Sequence, residues 1–378
     1  MTEIPSDGYG AGYVSESVHA ATAPLPEPEL PQEYPQDDLD HVFACTRVED
    51  VTADMKTFVL EPAGPGTITY EPGQYLAFTF DIDGEEVGRC YTISSAPTRP
   101  HAVTITVKRV PGGRVSNWLH DNFTVGSTVS ARGPFGDFSN VHHPAPAYLF
   151  LSGGSGVTPL MSMTRTMYDH GAPADIAFVH SARTPDDIPF RAELELFDVT
   201  SRNIRVTHVC EADGEAEQWE GHRGRLTLEA LEEIAPDFRE REVFVCGPAG
   251  YMRAVHAMLT EAGLPEERYH QESFDGATAV PATPADTGTA QATYAVEFSR
   301  TGTTVECGAT TTLLQAAAEA GLTLPSSCGQ GMCGSCVSPL SKGTVDMRDN
   351  GGLRPRQRAQ GKILLCCSTP LEDLVIDA

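Results

Sequence analysis

The sequence predicts a multi-domain protein built from a small antiparallel β-barrel, an α/β domain with a parallel sheet, and a C-terminal α+β domain. Three observations support this division. Short alternating strands separated by turn residues begin at about His41, and a strand-then-helix rhythm begins beyond His142. Five of the ten cysteines fall between Cys328 and Cys367. At 378 residues the chain also exceeds what one hydrophobic core usually serves.

The first folded part is predicted to span residues 41–140. Its apolar and polar residues alternate in short runs, for example at 56–60, 75–80 and 103–107, and strands this regularly punctuated favour a closed antiparallel barrel. Residues 141–274 instead alternate apolar strands with helical segments, which is typical of an α/β domain with a parallel sheet.

The regions outside these two parts differ in composition. Residues 1–40 carry nine acids, no lysine or arginine and frequent proline and alanine, so we expect a disordered acidic tail. Residues 275–292 are small residues and prolines without periodicity, which indicates a linker. A hairpin, a helix over 313–320 and a cysteine loop follow, so the last domain is placed at residues 293–378.

The cysteines of the last domain have the spacing of cluster ligands. Cys328-x4-Cys333-x2-Cys336 is followed, after residues 337–365, by Cys366, and this matches the plant-type 2Fe-2S pattern. Three glycines lie between the first three ligands, at Gly329, Gly331 and Gly334. They allow backbone N–H groups to approach the bridging sulfides of the cluster. A four-thiolate zinc site is the alternative, but zinc ligands normally come as two CxxC-like pairs. Cys367 is the alternative fourth ligand, and we choose Cys366.

Two stretches of the predicted barrel suit a flat ring that carries a diphosphate. Arg89 suits the diphosphate, Tyr91 suits stacking on a ring, and Thr92 suits a hydrogen bond to a ring nitrogen. Residues 107–116 run from a strand through a glycine turn into a predicted helix, whose free N–H groups bind phosphate. The stretch 89–95 taken alone also fits an ordinary strand.

Two glycine turns follow apolar strands of the predicted α/β domain. Residues 151–159 (Leu-Ser-Gly-Gly-Ser-Gly-Val-Thr-Pro) and 246–252 (Cys-Gly-Pro-Ala-Gly-Tyr-Met) each lie where a strand ends and a helix begins. Both turns are expected at the carboxyl edge of the sheet, where ligands bind. Their glycines permit a tight turn and the close approach of a pyrophosphate.

These motifs, in this order, resemble those of the ferredoxin-NADP reductase superfamily: RxY[ST]xxS, a GGxxS turn, GGxGVTP and CGPxxM, over about residues 41–274. The last domain resembles a ferredoxin, which implies a β-grasp fold. The resemblance implies flavin binding by Arg89, Tyr91, Thr92, Ser95, Val107, Gly113 and Ser116. It implies dinucleotide binding by Gly153, Gly154, Gly156, Val157, Thr158, Cys246, Gly247, Pro248 and Met252.

The resemblance also implies which residues lie beside the reacting rings. Thr92 and Cys246 are expected there, although a buried free cysteine is more often an ordinary core residue. Residues 272–274 (Glu-Ser-Phe) resemble the acid and aromatic that lie near the flavin in this superfamily. The closing sequence at 133–138 and the GGxxS turn favour FAD over FMN, although FMN occurs in a reductase with the same domain order.

The nicotinamide cofactor is predicted from charge. The stretch after the second strand of the α/β domain contains Ser181 and Arg183, followed by Asp186 and Asp187. Because a 2′-phosphate would require further basic residues, the stretch favours NADH over NADPH. We expect hydride from NADH to reach the flavin, which then passes electrons singly to the cluster.

Charge and hydropathy exclude several classes of partner. The net charge of −26 argues against binding to nucleic acid or to an anionic membrane surface. The sequence has no apolar run of bilayer-spanning length and no signal-peptide pattern at its N-terminus, so a cytoplasmic location is expected.

The electron acceptor is predicted to be another protein. The sequence lacks the paired CxH and CxxH motifs of a Rieske centre, so the chain is not itself a Rieske oxygenase, and a Rieske-type oxygenase component is the expected partner. The hybrid-cluster protein is an alternative acceptor, and a redox sensor without turnover is a third possibility, disfavoured by the absence of a DNA-reading element. Basic residues near the cluster ligands form either a docking surface or an ordinary solvated loop: Arg348, Arg354, Arg356, Arg358 and Lys362.

Overall fold

The computed structural model describes most of the chain beyond the N-terminal region. The described residues are 40–274, 292–322, 324–326, 329, 331, 334, 336–349, 352–353 and 355–378. The predicted acidic tail, almost all of the predicted linker and the predicted ligands Cys328 and Cys333 lie outside them. Within the described residues, no helix combines the length and the apolar character needed to cross a bilayer.

The first part of the described chain is an antiparallel barrel with one helix. Its elements are β1 (Asp40–Thr52), β2 (Met55–Pro62), β3 (Tyr75–Ile82), β4 (Glu85–Thr92), β5 (Val103–Lys108), α1 (Arg114–Asn122) and β6 (Thr128–Phe135). The strands pair in the order β4-β3-β6-β1-β2-β5. A bridge between Ile93 and Ile105 links the end of β4 to β5 and closes the sheet. Phe43, Phe58 and Phe78 fill the interior, which confirms the predicted barrel.

The second part is a parallel sheet with helices. Its elements are β7 (Ala147–Gly153), α2 (Val157–Asp169), β8 (Asp175–Ala182), α3 (Arg191–Thr200), β9 (Ile204–Cys210), β10 (His222–Arg223), α4 (Leu228–Ile234), β11 (Glu242–Cys246), α5 (Ala249–Glu261) and β12 (Tyr269–Glu272). The strand order is β10-β9-β8-β7-β11-β12, and all pairs are parallel. This confirms the predicted α/β architecture. The strand order reverses between β7 and β11, which is where doubly wound sheets bind their ligands.

The central strands are almost continuously apolar because both of their faces are covered. On one face Phe150 and Phe178 pack against Leu160 of α2. On the other face Leu151 and Val179 belong to a second apolar cluster. Helix α2 begins at Val157 and contains Pro159 in its first turn, which is a position where a helix tolerates proline.

The third part is a mixed α+β domain. Its elements are β13 (Thr293–Phe298), β14 (Thr303–Gly308), α6 (Leu313–Glu319), β15 (Val337–Lys342), β16 (Val345–Met347), α7 (Pro355–Ala359), β17 (Lys362–Leu364), β18 (Ser368–Pro370) and β19 (Leu374–Ile376). A five-stranded sheet has the order β14-β13-β19-β15-β17, and β16 pairs with β18. Thr312 caps α6 by accepting a hydrogen bond from the N–H of Gln315, and the apolar face of α6 packs into the core of this domain. The predicted α+β class is confirmed.

Candidate functional site

A cavity of about 650 Å³, which we call the central cavity, is lined by residues from all three parts. Seven of the predicted site residues line it: Arg89, Tyr91, Thr92, Val107, Gly113, Ser116 and Thr158. The remaining predicted flavin and nucleotide residues lie outside its lining: Ser95, Gly153, Gly154, Gly156, Val157, Ser181, Arg183, Cys246, Gly247, Pro248 and Met252. Sequence motifs that are far apart in the chain therefore meet at one cavity.

The end of β4 supplies an aromatic and a basic side chain to the wall. The ring of Tyr91 packs at 6.1 Å from Phe78 and 6.3 Å from Phe80, and burial raises the pKa of its hydroxyl. The guanidinium of Arg89 donates one hydrogen bond to the carbonyl of Gly88, at 2.7 Å. Thr92 is buried at the end of the strand. A fixed ring beside a guanidinium fits a flat cofactor that carries phosphate.

Helix α1 presents its N-terminus to the same cavity. Its first residue follows Gly113, which caps it without a side-chain hydrogen bond. A Cβ at Gly113 would lie 2.6 Å from Ser116 Oγ and 3.1 Å from the carbonyl oxygen of Val110, so a side chain there would crowd this turn. Ser116 Oγ accepts a hydrogen bond from the N–H of Val110 at 3.2 Å. A helix N-terminus that no side chain covers fits the diphosphate of a dinucleotide.

Ser95, which the resemblance assigns to the flavin site, is hydrogen-bonded to other residues of the barrel. Its hydroxyl is hydrogen-bonded to the hydroxyl of Tyr70 at 2.8 Å and accepts from the N–H of Thr104 at 3.0 Å. Ser95 is buried, and its two contacts hold the segment after β4 against β5 and against the segment between β2 and β3. The side chain therefore positions the neighbouring residues of the cavity wall.

Residues 272–274 all line the central cavity, at the end of β12. The carboxyl group of Glu272 is buried, and its Oε2 has no hydrogen-bond partner among the described residues. Burial raises the pKa of Glu272 to about 8, so this carboxyl is largely protonated at pH 7. The sequence resemblance located these residues, but only the fold shows that Glu272 is a neutral acid.

The two glycine turns touch each other where the strand order reverses. A Cβ at Gly156 would lie 2.2 Å from the carbonyl oxygen of Cys246, and one at Gly247 would lie 3.2 Å from the N–H nitrogen of Gly153. Gly154 has a φ of +52°, which favours glycine. Close packing of the turns therefore explains Gly156 and Gly247 independently of any ligand.

Five other predicted residues belong to these two turns or to the helices that follow them. Val157 and Met252 are buried in the cores on opposite faces of the sheet. Cys246 is fully buried, and burial raises the pKa of its thiol well above the usual range, so the thiol stays protonated. Thr158 lines the central cavity, and its hydroxyl donates to the carbonyl of Ser155 at 3.0 Å. Pro248 caps helix α5.

A charged cluster joins the barrel to the parallel sheet beside these turns. Arg183 lies 2.6 Å from Asp187 and 3.4 Å from Asp54, measured between Nη2 and the carboxylate oxygens. Asp54 also accepts from Lys108 Nζ at 3.1 Å. Asp54 has no sequence signal because it lies in the turn between β1 and β2, far along the chain from Arg183. Ser181, which is half-buried, is the penultimate residue of β8.

The described cysteines of the third part bring two thiols together. Cys336 and Cys366 are buried, with their sulfur atoms 3.2 Å apart, and the N–H of Cys366 points to Cys336 Sγ at 3.5 Å. Residues Leu365–Cys367 form a 3-10 turn. The alternation expected of an extended strand therefore does not apply, and Cys367 points aside to the carbonyl of Leu364.

The three glycines between the predicted cluster ligands have left-handed backbone conformations, as their positions in the motif suggest. Gly329, Gly331 and Gly334 have φ values of +67°, +73° and +75°. A Cβ at Gly331 would lie 2.8 Å from Cys367 Sγ, and one at Gly334 would lie 2.9 Å from the carbonyl oxygen of Gly352. Three glycines in the left-handed region beside two buried thiols fit a 2Fe-2S cluster.

This barrel, parallel sheet and thiol-bearing domain define a class of protein, the flavin- and nicotinamide-dependent iron–sulfur reductases. Comparisons with known proteins agree. The oxidoreductase FAD-binding domain family matches residues 43–140, the oxidoreductase NAD-binding domain family matches residues 150–257, and the 2Fe-2S iron-sulfur cluster binding domain family matches residues 296–371.

Relatives match over nearly the whole chain. The glycine betaine monooxygenase reductase subunit of Pseudomonas aeruginosa is 44% identical, over 89% of this chain and 95% of that protein. The stachydrine N-demethylase reductase subunit of Rhizobium meliloti is 40% identical, over 90% of this chain and 97% of that protein. The structure of phthalate dioxygenase reductase aligns with a TM-score of 0.55 at 26% identity, over 91% of this chain and 99% of that chain.

The chain belongs to the family of flavoprotein reductases that join FAD-binding and NAD-binding domains of the ferredoxin-NADP reductase type to a C-terminal 2Fe-2S ferredoxin domain. It is an oxidoreductase, and the predicted FAD, NAD and 2Fe-2S cofactors are confirmed at the level of these domains. The zinc alternative for the cysteine loop is not supported.

Proposed function

We propose that this chain is the NADH-dependent reductase component of a Rieske-type monooxygenase, such as glycine betaine monooxygenase. The names of its relatives support this choice of partner. One structural observation supports the electron path: Ser326, two positions before Cys328, lines the central cavity together with Tyr91 of the barrel and Thr158 of the parallel sheet. The start of the cluster loop, the flavin motif and the nucleotide edge are thus neighbours.

Different residues of the cavity wall are assigned to different parts of the bound cofactor. Bound FAD would accept two electrons together from a nicotinamide and release them one at a time. We assign the diphosphate to Arg89 and the N-terminus of α1, and the ring to Tyr91 and Thr92. Glu272 holds a proton on its carboxyl at the cavity wall. We further propose domain limits of 41–140, 141–274 and 293–378.

The charged cluster favours NADH. Arg183 is the basic residue of its stretch, and the carboxylates of Asp187 and Asp54 already neutralise it. A 2′-phosphate at this position would meet two acids, Asp54 and Asp187, whose basic partners Arg183 and Lys108 are already paired with them. A higher kcat/KM with NADH than with NADPH is the expected result, and the opposite ratio would contradict the assignment.

The basic loop contributes less charge than its sequence suggests. Arg348 pairs with Asp346, at 3.1 Å from Nη2 to Oδ2, and Arg358 is hydrogen-bonded to Asp349. Arg354 and the side chain of Arg356 lie outside the described residues. Docking through this loop stays a prediction, as does a cytoplasmic location. Reversing charges at Arg348, Arg358 and Lys362 should slow reduction of the protein partner but not of ferricyanide.

Reconstitution tests the proposal. The purified protein should show a flavin absorbance band that NADH bleaches, and a band that NADH leaves unchanged would refute electron entry. Addition of the oxygenase component of glycine betaine monooxygenase should then give substrate-dependent NADH consumption. Faster turnover with the hybrid-cluster protein would assign the chain to that acceptor, and negligible turnover with every acceptor would favour a sensor.

A further inference from the structure

Two imidazoles and a carboxylate converge at the edge of the central cavity. Glu242 begins β11, and His270 lies on the neighbouring strand β12. His143 lies on the segment that connects the barrel to the parallel sheet. The donor atoms of these three side chains all lie within 4.8 Å of one another. Neither the cofactor motifs nor the proposed electron path uses any of them.

Packing holds the three side chains in place. The rings of His143 and His270 lie against each other with centroids 3.7 Å apart, and the ring of Phe244 packs at 4.7 Å from His270. Glu242 Oε2 is 2.7 Å from His270 Nε2. The hydroxyl of Tyr148 donates to the carbonyl of His143 at 3.0 Å, which fixes the connecting segment. The donors are therefore positioned by neighbours and are not loose surface groups.

We propose that His143, Glu242 and His270 bind one divalent transition-metal ion of the zinc class. Two imidazoles and one carboxylate are a ligand set that such ions prefer, and three protein ligands leave a fourth position open. Metal–ligand bonds of about 2.1 Å at a tetrahedral angle hold donor atoms roughly 3.4 Å apart. Donors now within 4.8 Å of one another need to converge by about 1.4 Å at most, which small adjustments of the side-chain torsions can supply.

Binding at this position would affect the central cavity. His143 and His270 both line it, and His270 lies two residues before Glu272 on the same strand. An ion shared by the connecting segment, β11 and β12 would hold these three parts of the cavity's surroundings together. We therefore expect ion binding to raise the melting temperature and to change the flavin absorbance.

Calorimetric titration of the oxidised holoenzyme with Zn²⁺ tests the proposal. Wild type should bind one ion that a chelator removes, with the cluster absorbance unchanged. Replacements His143→Ala, Glu242→Gln and His270→Ala should each weaken this binding roughly tenfold or more. His256→Ala is the matched control because His256 also faces a carboxylate, Glu266 at 3.6 Å, at an exposed position. Its affinity should equal that of wild type.

A second measurement needs no variant. Cu²⁺ bound to the oxidised holoenzyme should give an electron paramagnetic resonance signal split by two imidazole nitrogens, and His143→Ala should reduce this to one. Failure to bind either ion would overturn the proposal. Unchanged affinity in all three variants, thiolate coordination of the copper, or binding at the expense of the cluster would overturn it too.

Discussion

Gly156→Ala should impair the nucleotide site and leave the flavin and cluster sites unchanged. Gly156 precedes α2, and a Cβ there would lie 2.2 Å from the oxygen and 2.3 Å from the carbon of the Cys246 carbonyl. Both atoms belong to the backbone of the second glycine turn, so neither can rotate away. Since ordinary contact begins at 3.4 Å, the two turns must separate by about 1 Å.

The size of the effect follows from this overlap. Overpacking of one methyl group against a rigid neighbour costs roughly 1–3 kcal/mol of unfolding free energy. A displacement of about 1 Å at a site that positions a hydride donor can lower kcat/KM by around 10²-fold. We therefore expect a moderate loss of stability together with a large loss of NADH-dependent flavin reduction. The flavin and cluster spectra should remain normal, because the barrel and the third part are not disturbed.

Gly250→Ala is the matched control. Gly250 lies in the first turn of α5, beside the same pair of turns, but a Cβ there meets no atom within 4 Å. Alanine should be neutral or stabilising there by up to about 1 kcal/mol. The assays are urea unfolding and stopped-flow reduction by NADH, with dithionite as a reductant that does not need the nucleotide site. Equal unfolding and equal NADH kinetics in Gly156→Ala and Gly250→Ala would refute the packing argument.

Three further predictions concern single groups. The pKa of Glu272 is about 8 in the folded chain against 4.5 in the unfolded chain. The unfolding free energy of the wild type should therefore fall by about 1.4 kcal/mol for each unit that the pH rises between pH 4.5 and pH 8. Glu272→Gln should lack this component in urea unfolding at pH 5 and pH 8, and identical pH slopes would contradict the assignment. Cys366→Ser should lose the cluster absorbance while Cys367→Ser keeps it, and the reverse would make Cys367 the ligand. Asp187→Ala should raise kcat/KM for NADPH relative to NADH by releasing Arg183, and an unchanged ratio would count against the charged cluster.

Local signals account for what the sequence predicted well. The spacing of Cys336 and its partners, the two glycine turns and the alternating strands are each set within a few residues, so a single segment reveals them. The fold class follows because these segments occur in a characteristic order. Cys366 was chosen on motif grounds, whereas the 3-10 turn that directs it toward Cys336 became visible only in the fold.

Long-range packing accounts for what the sequence did not predict. Asp54 reaches Arg183 only because the β1–β2 turn approaches the end of β8. Ser95 belongs to the flavin motif, yet the fold directs its hydroxyl to Tyr70. The three donors of the proposed metal site come from three separate segments. None of these relations has a fixed spacing, so a single sequence without its fold contains no signal for them.

Burial also changes the charges that residue types suggest. Five polar residues are neighbours in register across the parallel sheet, in the order Glu272, Cys246, Ser152, His180 and His208. Burial raises the pKa of the carboxyl to about 8 and that of the thiol well above its usual range, and it lowers the pKa values of the two imidazoles to about 3 and about 4. At pH 7 this row therefore carries little charge, because desolvation favours the neutral form of each group. The phosphates of a bound nucleotide at this edge would meet helix N-termini without competition from a charged group in this row, which is the electrostatic condition that a dinucleotide site requires.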